Sequence, residues 1–429
     1  MTETAPDRAS PTTEPARPRA RALRALDHVE YRKVFTAALV VQLGFWFSHI
    51  AFQGLMVELT DNDELQITLL FFALFIPILF VAPIGGLVAD RLDRKAILLA
   101  CYAALAAGSS VTAVLVTTDV ITPALLLLMA FVVGVVFSFL SPAMHAVAAN
   151  SVPAYDLPSA VSLTAIVVNV TRVAGPILAA PIVAAGVFAV GWVAYGVAAL
   201  LAFLLMSGVR LTPYQPEADA LGPVSRMRAG FAHARERRPA ASALLLVAVL
   251  SLCLVSHIGL LPSFVEDDLG QSRGRFAYVV AASGVGAIIG AFVAGSLERA
   301  PTIRRGALFG IGYAASLLAF GLTSRFWLAL LIQVVAGLFY FATFTTLQTI
   351  VQSVVDEDKR GRVMSLFQIS WAGLVPFGAL AMGIAAGPLG LGVRPTIVGA
   401  AVIALVYSIS VAVRSKNWPG ADAYQAVRS

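Results

Sequence analysis

Two histidines occur in the same short sequence context in the two halves of the chain. The sequence Ser-His-Ile, with a Glu eight residues after the Ile, contains His49 and recurs 208 residues later around His257. Both lie in long apolar segments, where an ionisable side chain is costly and marks a candidate functional site. Because the charge of imidazole changes near neutral pH, the pair could bind and release protons. Two buried core histidines inherited by duplication are the alternative.

Polar and aromatic side chains within the apolar segments form a second candidate set. Arg172 lies deep in one segment, and Asn169 shares its helical face three residues earlier. All 24 acidic residues fall in loops, tails or segment ends, which favours an anionic or uncharged amphipathic substrate. A clamp onto backbone carbonyls is the alternative role for Arg172. The expected cavity or ion-coupling residues are His49, Gln53, Asn169, Arg172, His257, Gln368 and Trp371.

Long apolar segments must position these residues. The chain is 59% hydrophobic and 13% charged, whereas a soluble domain is about 25% charged. These segments are continuous rather than alternating, and a bilayer-spanning helix needs about 20 such residues, so helices are predicted. Twelve are predicted, at 35–59, 66–89, 96–117, 121–142, 158–183, 185–208, 240–264, 276–297, 306–323, 326–350, 363–386 and 395–413.

The sequence repeats within this pattern. The stretch 150–163 before the fifth segment resembles 352–366 before the eleventh, and Pro176 has a counterpart in Pro376. The predicted fold is an all-α membrane protein with twelve transmembrane helices in two pseudo-symmetric six-helix bundles. A parallel repeat of this kind is typical of transporters that move two halves around a central site. The predicted units are a tail 1–34, a bundle 35–208, a linker 209–239 with an amphipathic or solvated helix, a bundle 240–413 and a tail 414–429.

Basic residues predict the orientation. Of the 30 Lys and Arg, 25 fall in the tails and in the connections that share their side of the membrane. The opposite connections are acidic after the first and seventh segments. By the positive-inside rule both termini are cytoplasmic, in the cell (inner) membrane. The formal charge of +6 follows from this bias, so no nucleic-acid partner is expected.

A motif after the second segment carries a family resemblance. Gly86, Asp90, Arg91, Arg94 and Lys95 match the pattern Gly-x-x-x-Asp-Arg-x-Gly-Arg-Arg/Lys, with Asp in place of the second Gly. This pattern resembles the signature of the major facilitator superfamily. The surrounding sequence resembles the exporter branch that includes enterobactin and macrolide efflux proteins. Further support comes from the stretches 141–142, 169–176 and 361–365. Phe45 stands where those exporters often have an acid.

The motif also has a physical interpretation. Gly86 permits close helix packing, and Asp90 could cap the positive N-terminus of the eleventh segment near Arg362. The basic residues would then form a polar latch that holds the cytoplasmic side closed. The alternative is that they only set the topology. The expected gate residues are Gly86, Asp90, Arg91, Arg94, Lys95, Glu298 and Arg362.

The resemblance implies a secondary active transporter, not an enzyme. The expected function is proton-coupled efflux of a small amphipathic molecule, such as a drug-like compound, siderophore or metabolite, by a monomer in the lipid bilayer. No cofactor is expected, since the sequence has no phosphate-binding loop, metal-ligand cluster or nucleophile triad. The first alternative is an importer of a small organic solute. The second is a membrane-embedded transferase with His49 or His257 as base.

The predicted orientation can be tested with reporter fusions. Fusions after Asp63 and Asp268 should report an external location, because the flanking connections are acidic. Fusions within 209–239 should report a cytoplasmic location. An external signal from 209–239 would overturn both the orientation and the two-half arrangement.

Overall fold

The computed structural model describes residues 21–91, 93–211, 231–295, 301–356 and 359–419, with backbone alone at 21–22, 82–91 and 295. Within these ranges twelve helices are long and apolar enough to cross a membrane. The predicted all-α membrane fold is therefore confirmed. Most of the predicted linker, 212–230, lies outside the described residues, so its boundaries stay a prediction.

The first half consists of six membrane helices. A 3₁₀ turn precedes the first helix, and α1 begins before the predicted 35 because its polar first turns extend beyond the apolar segment. Pro142 lies inside α4 rather than ending it. The helices are α1 (Val29–Leu59), α2 (Glu64–Arg91), α3 (Arg94–Thr117), α4 (Pro123–Asn150), α5 (Leu157–Ala184) and α6 (Ala189–Ser207), and the 3₁₀ turn is Arg21–Asp27.

The second half repeats this order with two irregular helices. α7 begins as Arg238–Cys253 and continues through a 3₁₀ segment Val255–Leu260, a short turn Leu261–Ser263 and a π-helical segment Phe264–Asp268. α11 comprises Arg360–Gln368, a π-helical segment Ile369–Gly373 and Val375–Ala386. The others are α8 (Arg275–Gly295), α9 (Ile303–Leu322), α10 (Phe326–Val354) and α12 (Val393–Arg414).

The two copies of the repeated Ser-His-Ile sequence have different backbones. In α1 the helix is continuous, and Ser48 Oγ donates to the Phe45 carbonyl at 3.0 Å. In α7 the copy is 3₁₀, and Ser256 Oγ lies 2.9 Å from the Val375 carbonyl of α11. A methyl group at Gly378 would lie only 2.2 Å from the Leu252 carbonyl, so α11 can approach α7 here because of the glycine. The irregular backbone of α7 is thus buried against protein, as hydrocarbon requires.

The two halves contact each other at the end of the molecule where α1 and α7 finish. Asn62 Nδ2 donates to Asp267 at 2.6 Å, and Arg273 pairs with Glu58 at 3.1 Å. Deeper in the membrane, α5 packs on α8 at Gly284, where a methyl group would lie 2.9 Å from Val173. Similar close packing joins α2 to α11. These contacts join the two halves on the side where α1 and α7 end.

Contacts at the opposite end join residues of the same half. In the first half, His28 pairs with Asp156, and the Tyr31 hydroxyl donates to the Ala160 carbonyl. In the second half, the equivalent position has an ion pair between Arg237 and Asp356. These contacts connect the start of α1 to the start of α5, and the start of α7 to the start of α11.

Candidate functional site

The first histidine of the repeat lies in an aromatic cage. His49 is 4% exposed, and its ring stacks on Phe45 at a centroid distance of 5.8 Å. Trp46, Phe71 and Phe75 contribute ring edges or faces at 5.7 to 6.0 Å. In the described part of the chain, His49 Nδ1 is buried without a hydrogen-bond partner. The ring can therefore gain a proton at Nδ1 without breaking a hydrogen bond to protein.

Gln53 and Trp46 extend this polar stripe along one face of α1. Positions 46, 49 and 53 lie on one side of the helix, by the spacing of three and four residues. Among the described residues, neither polar atom of the Gln53 side chain has a protein partner, and nor does Trp46 Nε1. Buried polar groups cost free energy when unpaired. This stripe is therefore a candidate site for a proton or a polar group.

The second histidine has both ring nitrogens bonded. His257 Nδ1 lies 2.5 Å from the Leu254 carbonyl, and its Nε2 lies 2.8 Å from Gln333 Nε2. These contacts fit a neutral imidazole that donates from Nδ1 and accepts the amide proton at Nε2. Protonation of His257 Nε2 would place its N–H against the N–H of Gln333 Nε2. The Gln333 amide would then have to turn and present its oxygen. His257 is thus a satisfied core histidine in this conformation.

The described ring contacts do not bring the two histidines together. His49 contacts rings of α1 and α2, whereas His257 contacts Phe320 of α9 and bonds to α10. The two histidines therefore lie in separate environments, one in each half of the molecule.

Arg172 lies at the interface between the halves. At 1.5 Å per residue it is about 22 Å along α5 from Leu157, well inside the bilayer. Its stem packs near Gly284 of α8, and its charge is close enough to Tyr313 of α9 to interact electrostatically. Arg172 Nε is buried and has no hydrogen-bond partner within the described ranges. Residues of both halves therefore surround a cation that has spare hydrogen-bonding capacity.

An aromatic cluster extends from Tyr313 through α10 to α11. The Tyr313 and Tyr340 rings are 5.6 Å apart, and Tyr340 and Phe344 are 4.8 Å apart. Trp371 Nε1 donates to the Tyr340 hydroxyl at 3.0 Å. Trp371 lies in the π-helical segment of α11, a type of segment that is frequent at functional sites. We call Tyr313, Tyr340, Phe344 and Trp371 the aromatic cluster.

The other predicted cavity residues are placed less centrally. Asn169 Nδ2 donates to the Ala165 carbonyl of its own helix at 2.8 Å, and its side chain is half-buried. Gln368 is exposed on α11, just before the π-helical segment. Each lies one turn or less from a residue of the proposed site, Arg172 or Trp371.

The predicted cytoplasmic gate is only partly described. The structure describes only the helical backbone at Gly86, Asp90 and Arg91. Glu298 lies outside the described residues. Arg94 and Arg362 lie in the first turns of α3 and α11. Lys95 Nζ donates to the Ser207 and Val209 carbonyls at 2.8 and 2.7 Å, and thereby holds α3 to the end of α6. Asp93, which replaces the usual glycine, caps α3 by accepting from Lys95 N at 3.0 Å. The latch itself stays a prediction.

Sequence reasoning missed Gln333, Tyr313 and Tyr340. Gln333 could have been found, because it is the only amide within the apolar stretch 326–338. The two tyrosines carry no such signal, since their role depends on the neighbouring helices that bring them toward Arg172 and Trp371.

The sequence and the fold of this chain match membrane transporters and not enzymes. Residues 20–427 match the family described as transmembrane secretion effectors. The chain therefore belongs to this family of the major facilitator superfamily. No curated protein matches the sequence.

Solved structures with the same fold are transporters. A bacterial homologue of the human lysosomal transporter Spinster, inward-facing and unoccupied, has a TM-score of 0.70 and 15% identity, covering 90% of this chain and 98% of its own. The nucleoside transporter NupG has a TM-score of 0.67 and 16% identity, covering 91% and 100%. A mutant of the peptide transporter POT has a TM-score of 0.75 and 13% identity, covering 90% and 94%. At these identities the likeness concerns the fold alone.

The Gln333 contact makes a testable claim about stability. Replacing Gln333 by Leu should leave the His257 acceptor buried and unpaired, which costs about 1–3 kcal/mol of unfolding free energy. Thermal unfolding in detergent should therefore show a lower melting temperature. Gln348→Leu on the same helix is the control. The Gln348 side chain is half-buried and forms no hydrogen bond within the described ranges. Equal destabilisation by both changes would contradict the assigned role.

Proposed function

We propose that this protein is a proton-coupled exporter of a small amphipathic molecule with an anionic group. It works by alternating access in the cell (inner) membrane, with both termini in the cytoplasm, and acts as a monomer. The proposal extends the family membership in three respects: substrate charge, direction and coupling ion. Each has its own support.

The proposed negative charge on the substrate rests on the surroundings of Arg172. An arginine in the bilayer interior is costly unless it has a partner. Here the charge of Arg172 interacts with Tyr313, and Arg172 Nε is buried without an acceptor among the described residues. A carboxylate, sulfonate or phosphate on a substrate would supply acceptor oxygens and balance the charge. Guanidinium suits such oxyanions because it donates two parallel hydrogen bonds.

The aromatic cluster supports the amphipathic part of the proposal. Its rings offer apolar faces, while the hydroxyls of Tyr313 and Tyr340 and the Trp371 indole offer polar edges. Because the cluster lies in the second half and Arg172 in the first, one molecule bound between them would contact both halves. Binding would then respond to the movement of the halves, as alternating access requires.

The proposed export direction rests on the family description and on the sequence motif shared with exporters. It does not follow from the fold, since importers and exporters of this superfamily have the same helix arrangement. Flux under an imposed gradient separates export from the import alternative.

His49 is the proposed proton carrier. In the closed arrangement its ring is sealed among aromatic side chains, where a charge is strongly disfavoured. Opening the site to water would remove that penalty and permit protonation. The charged ring would then favour the open state, and the neutral ring would permit closure. His257 plays the structural part, because its hydrogen bonds to Leu254 and Gln333 hold it neutral.

Flux into and out of proteoliposomes tests the substrate assignment. Aromatic sulfonates should be transported, and their neutral sulfonamide counterparts should be transported poorly. Arg172→Gln should lower transport of the anions by about tenfold or more, as expected for losing a charge-assisted hydrogen bond. Arg172→Lys should recover only part of it, since lysine lacks the planar fork. Arg325→Gln is the control, because Arg325 is exposed at the start of α10. Equal transport of anions and amides, or unchanged flux in Arg172→Gln, would contradict the proposal.

The pH dependence of the same flux tests the coupling. With wild type, an inward proton gradient should accelerate export. His49→Gln should abolish this acceleration while His257→Gln keeps it, because only the His49 Nδ1 is free to accept a proton. An unchanged response in His49→Gln would remove His49 from coupling.

A further inference from the structure

The N-terminal ends of α1 and α7 carry equivalent ion pairs with different chemistry. His28 is the N-cap residue of α1, and its Nε2 lies 2.7 Å from Asp156 Oδ2, just before α5. Arg237 is the N-cap residue of α7 and lies 3.1 Å from Asp356 Oδ1, in the connection before α11. Each half thus pairs the N-cap residue of its first helix with a carboxylate that precedes its fifth helix. The second half has a permanent cation at this place, and the first half has a titratable one.

The pair in the first half is more buried, and among the described residues the Asp156 carboxylate has one hydrogen-bond partner. Asp156 is 5% exposed, and its second oxygen has no hydrogen-bond partner among the described residues. The partner that its carboxylate has is His28. Asp356 has a 30% exposed side chain and further cationic or polar neighbours in His233, at 3.4 Å, and Lys359, at 3.9 Å. Loss of the His28 charge therefore leaves a buried carboxylate poorly compensated, which is strongly unfavourable.

This pair fixes the start of the helix that carries Arg172. Two further contacts join the same elements: the Ala25 amide donates to Ser159 Oγ at 3.0 Å, and the Tyr31 hydroxyl donates to the Ala160 carbonyl at 2.9 Å. These two contacts do not change charge near neutral pH. Of the three, only the His28 contact varies in strength with proton concentration.

We propose that His28 is a positioning residue that makes the placement of α5 sensitive to pH on the side where α1 begins. When His28 is protonated, a charge-assisted hydrogen bond holds α5 to α1, and such bonds are roughly twice as strong as neutral ones. When His28 is neutral, the bond weakens and the start of α5 loosens. The inference extends the proposed role of Arg172, but its structural part needs no substrate.

Other charged groups surround this pair. The elements around His28 carry Arg24 and Asp27 in the preceding turn, Glu30, Arg32 and Lys33 in α1, and Tyr155 beside Asp156. Glu30 is held by Lys33 at 3.3 Å and by the Arg210 amide at 2.8 Å. Among the described residues, Asp156 is the charged group within hydrogen-bond distance of the His28 imidazole. The His28 side chain is 28% exposed, so it can exchange protons with water.

Hydrogen–deuterium exchange of the full-length protein in lipid nanodiscs tests the inference without substrate. Protection of the amides at the start of α5, corrected for intrinsic exchange, should fall about tenfold between pH 6 and pH 8 in wild type. His28→Arg should keep the protection at both values, because it reproduces the cation of the second half. His28→Gln should lack it at both values. The start of α11 is the internal comparison and should change less, because Arg237 and Lys359 stay charged beside Asp356 at both values, in addition to the nearby His233.

A gain-of-function variant keeps the test decisive if His28 variants fold poorly. Arg237→His should make the start of α11 more strongly pH-dependent than in wild type, in the same sense. A pH-dependent loss in His28→Arg equal to that of wild type would overturn the inference, and so would a loss of equal size at the starts of α5 and α11 in wild type. Loss of anion transport with these exchange patterns intact would count against the proposed function alone.

Discussion

Hydrocarbon offers no hydrogen bonds, and each backbone amide of this protein that crosses the membrane must therefore be satisfied within the protein. Regular helices meet this requirement at ten of the twelve spans. α7 and α11 contain irregular segments, and each of these segments lies against a neighbouring helix. Ser256 of α7 bonds to the α11 backbone, and the glycine at 378 lets the two helices touch. The irregular segments are thus permitted by each other's proximity.

These irregular segments also position two candidate site residues, His257 and Trp371. The 3₁₀ part of α7 presents His257 to the Leu254 carbonyl and to Gln333, and the π-helical part of α11 presents Trp371 to Tyr340. The equivalent part of α1 is regular, and His49 there has an unpartnered nitrogen. Duplication supplied two identical short sequences, and their environments gave them different properties. The N-cap residues of α1 and α7, His28 and Arg237, also differ between the halves.

The sequence was sufficient to predict the twelve helices, their grouping into halves and the superfamily, because long apolar runs and a local motif carry that information. The sequence also indicated His49, His257, Arg172 and Trp371 as candidate cavity or ion-coupling residues. It did not reveal the 3₁₀ and π-helical segments. Pro262 and Pro376 each remove a helical donor there, but Pro142 and Pro176 lie inside regular helices, so prolines alone do not predict where the irregularity falls. Nor did the sequence indicate Tyr313 and Tyr340, because aromatic residues in a membrane helix look alike until their neighbours are known. The Asp93 cap of α3, in contrast, gives a local reason for its departure from the family motif.

The π-helical segment of α11 has a consequence for how this helix should be compared with others. A π turn accommodates one more residue than an α turn, and one residue corresponds to about 100° of rotation. The part before Ile369 and the part after Gly373 are therefore out of phase, and a single helical wheel misassigns one of them. Each part has its own buried face: Val363 and Phe367 form that of the first part, and the second part carries the glycines that touch α7 and α2. Deleting or inserting one residue in this segment would turn one face away from its partner while leaving the other aligned.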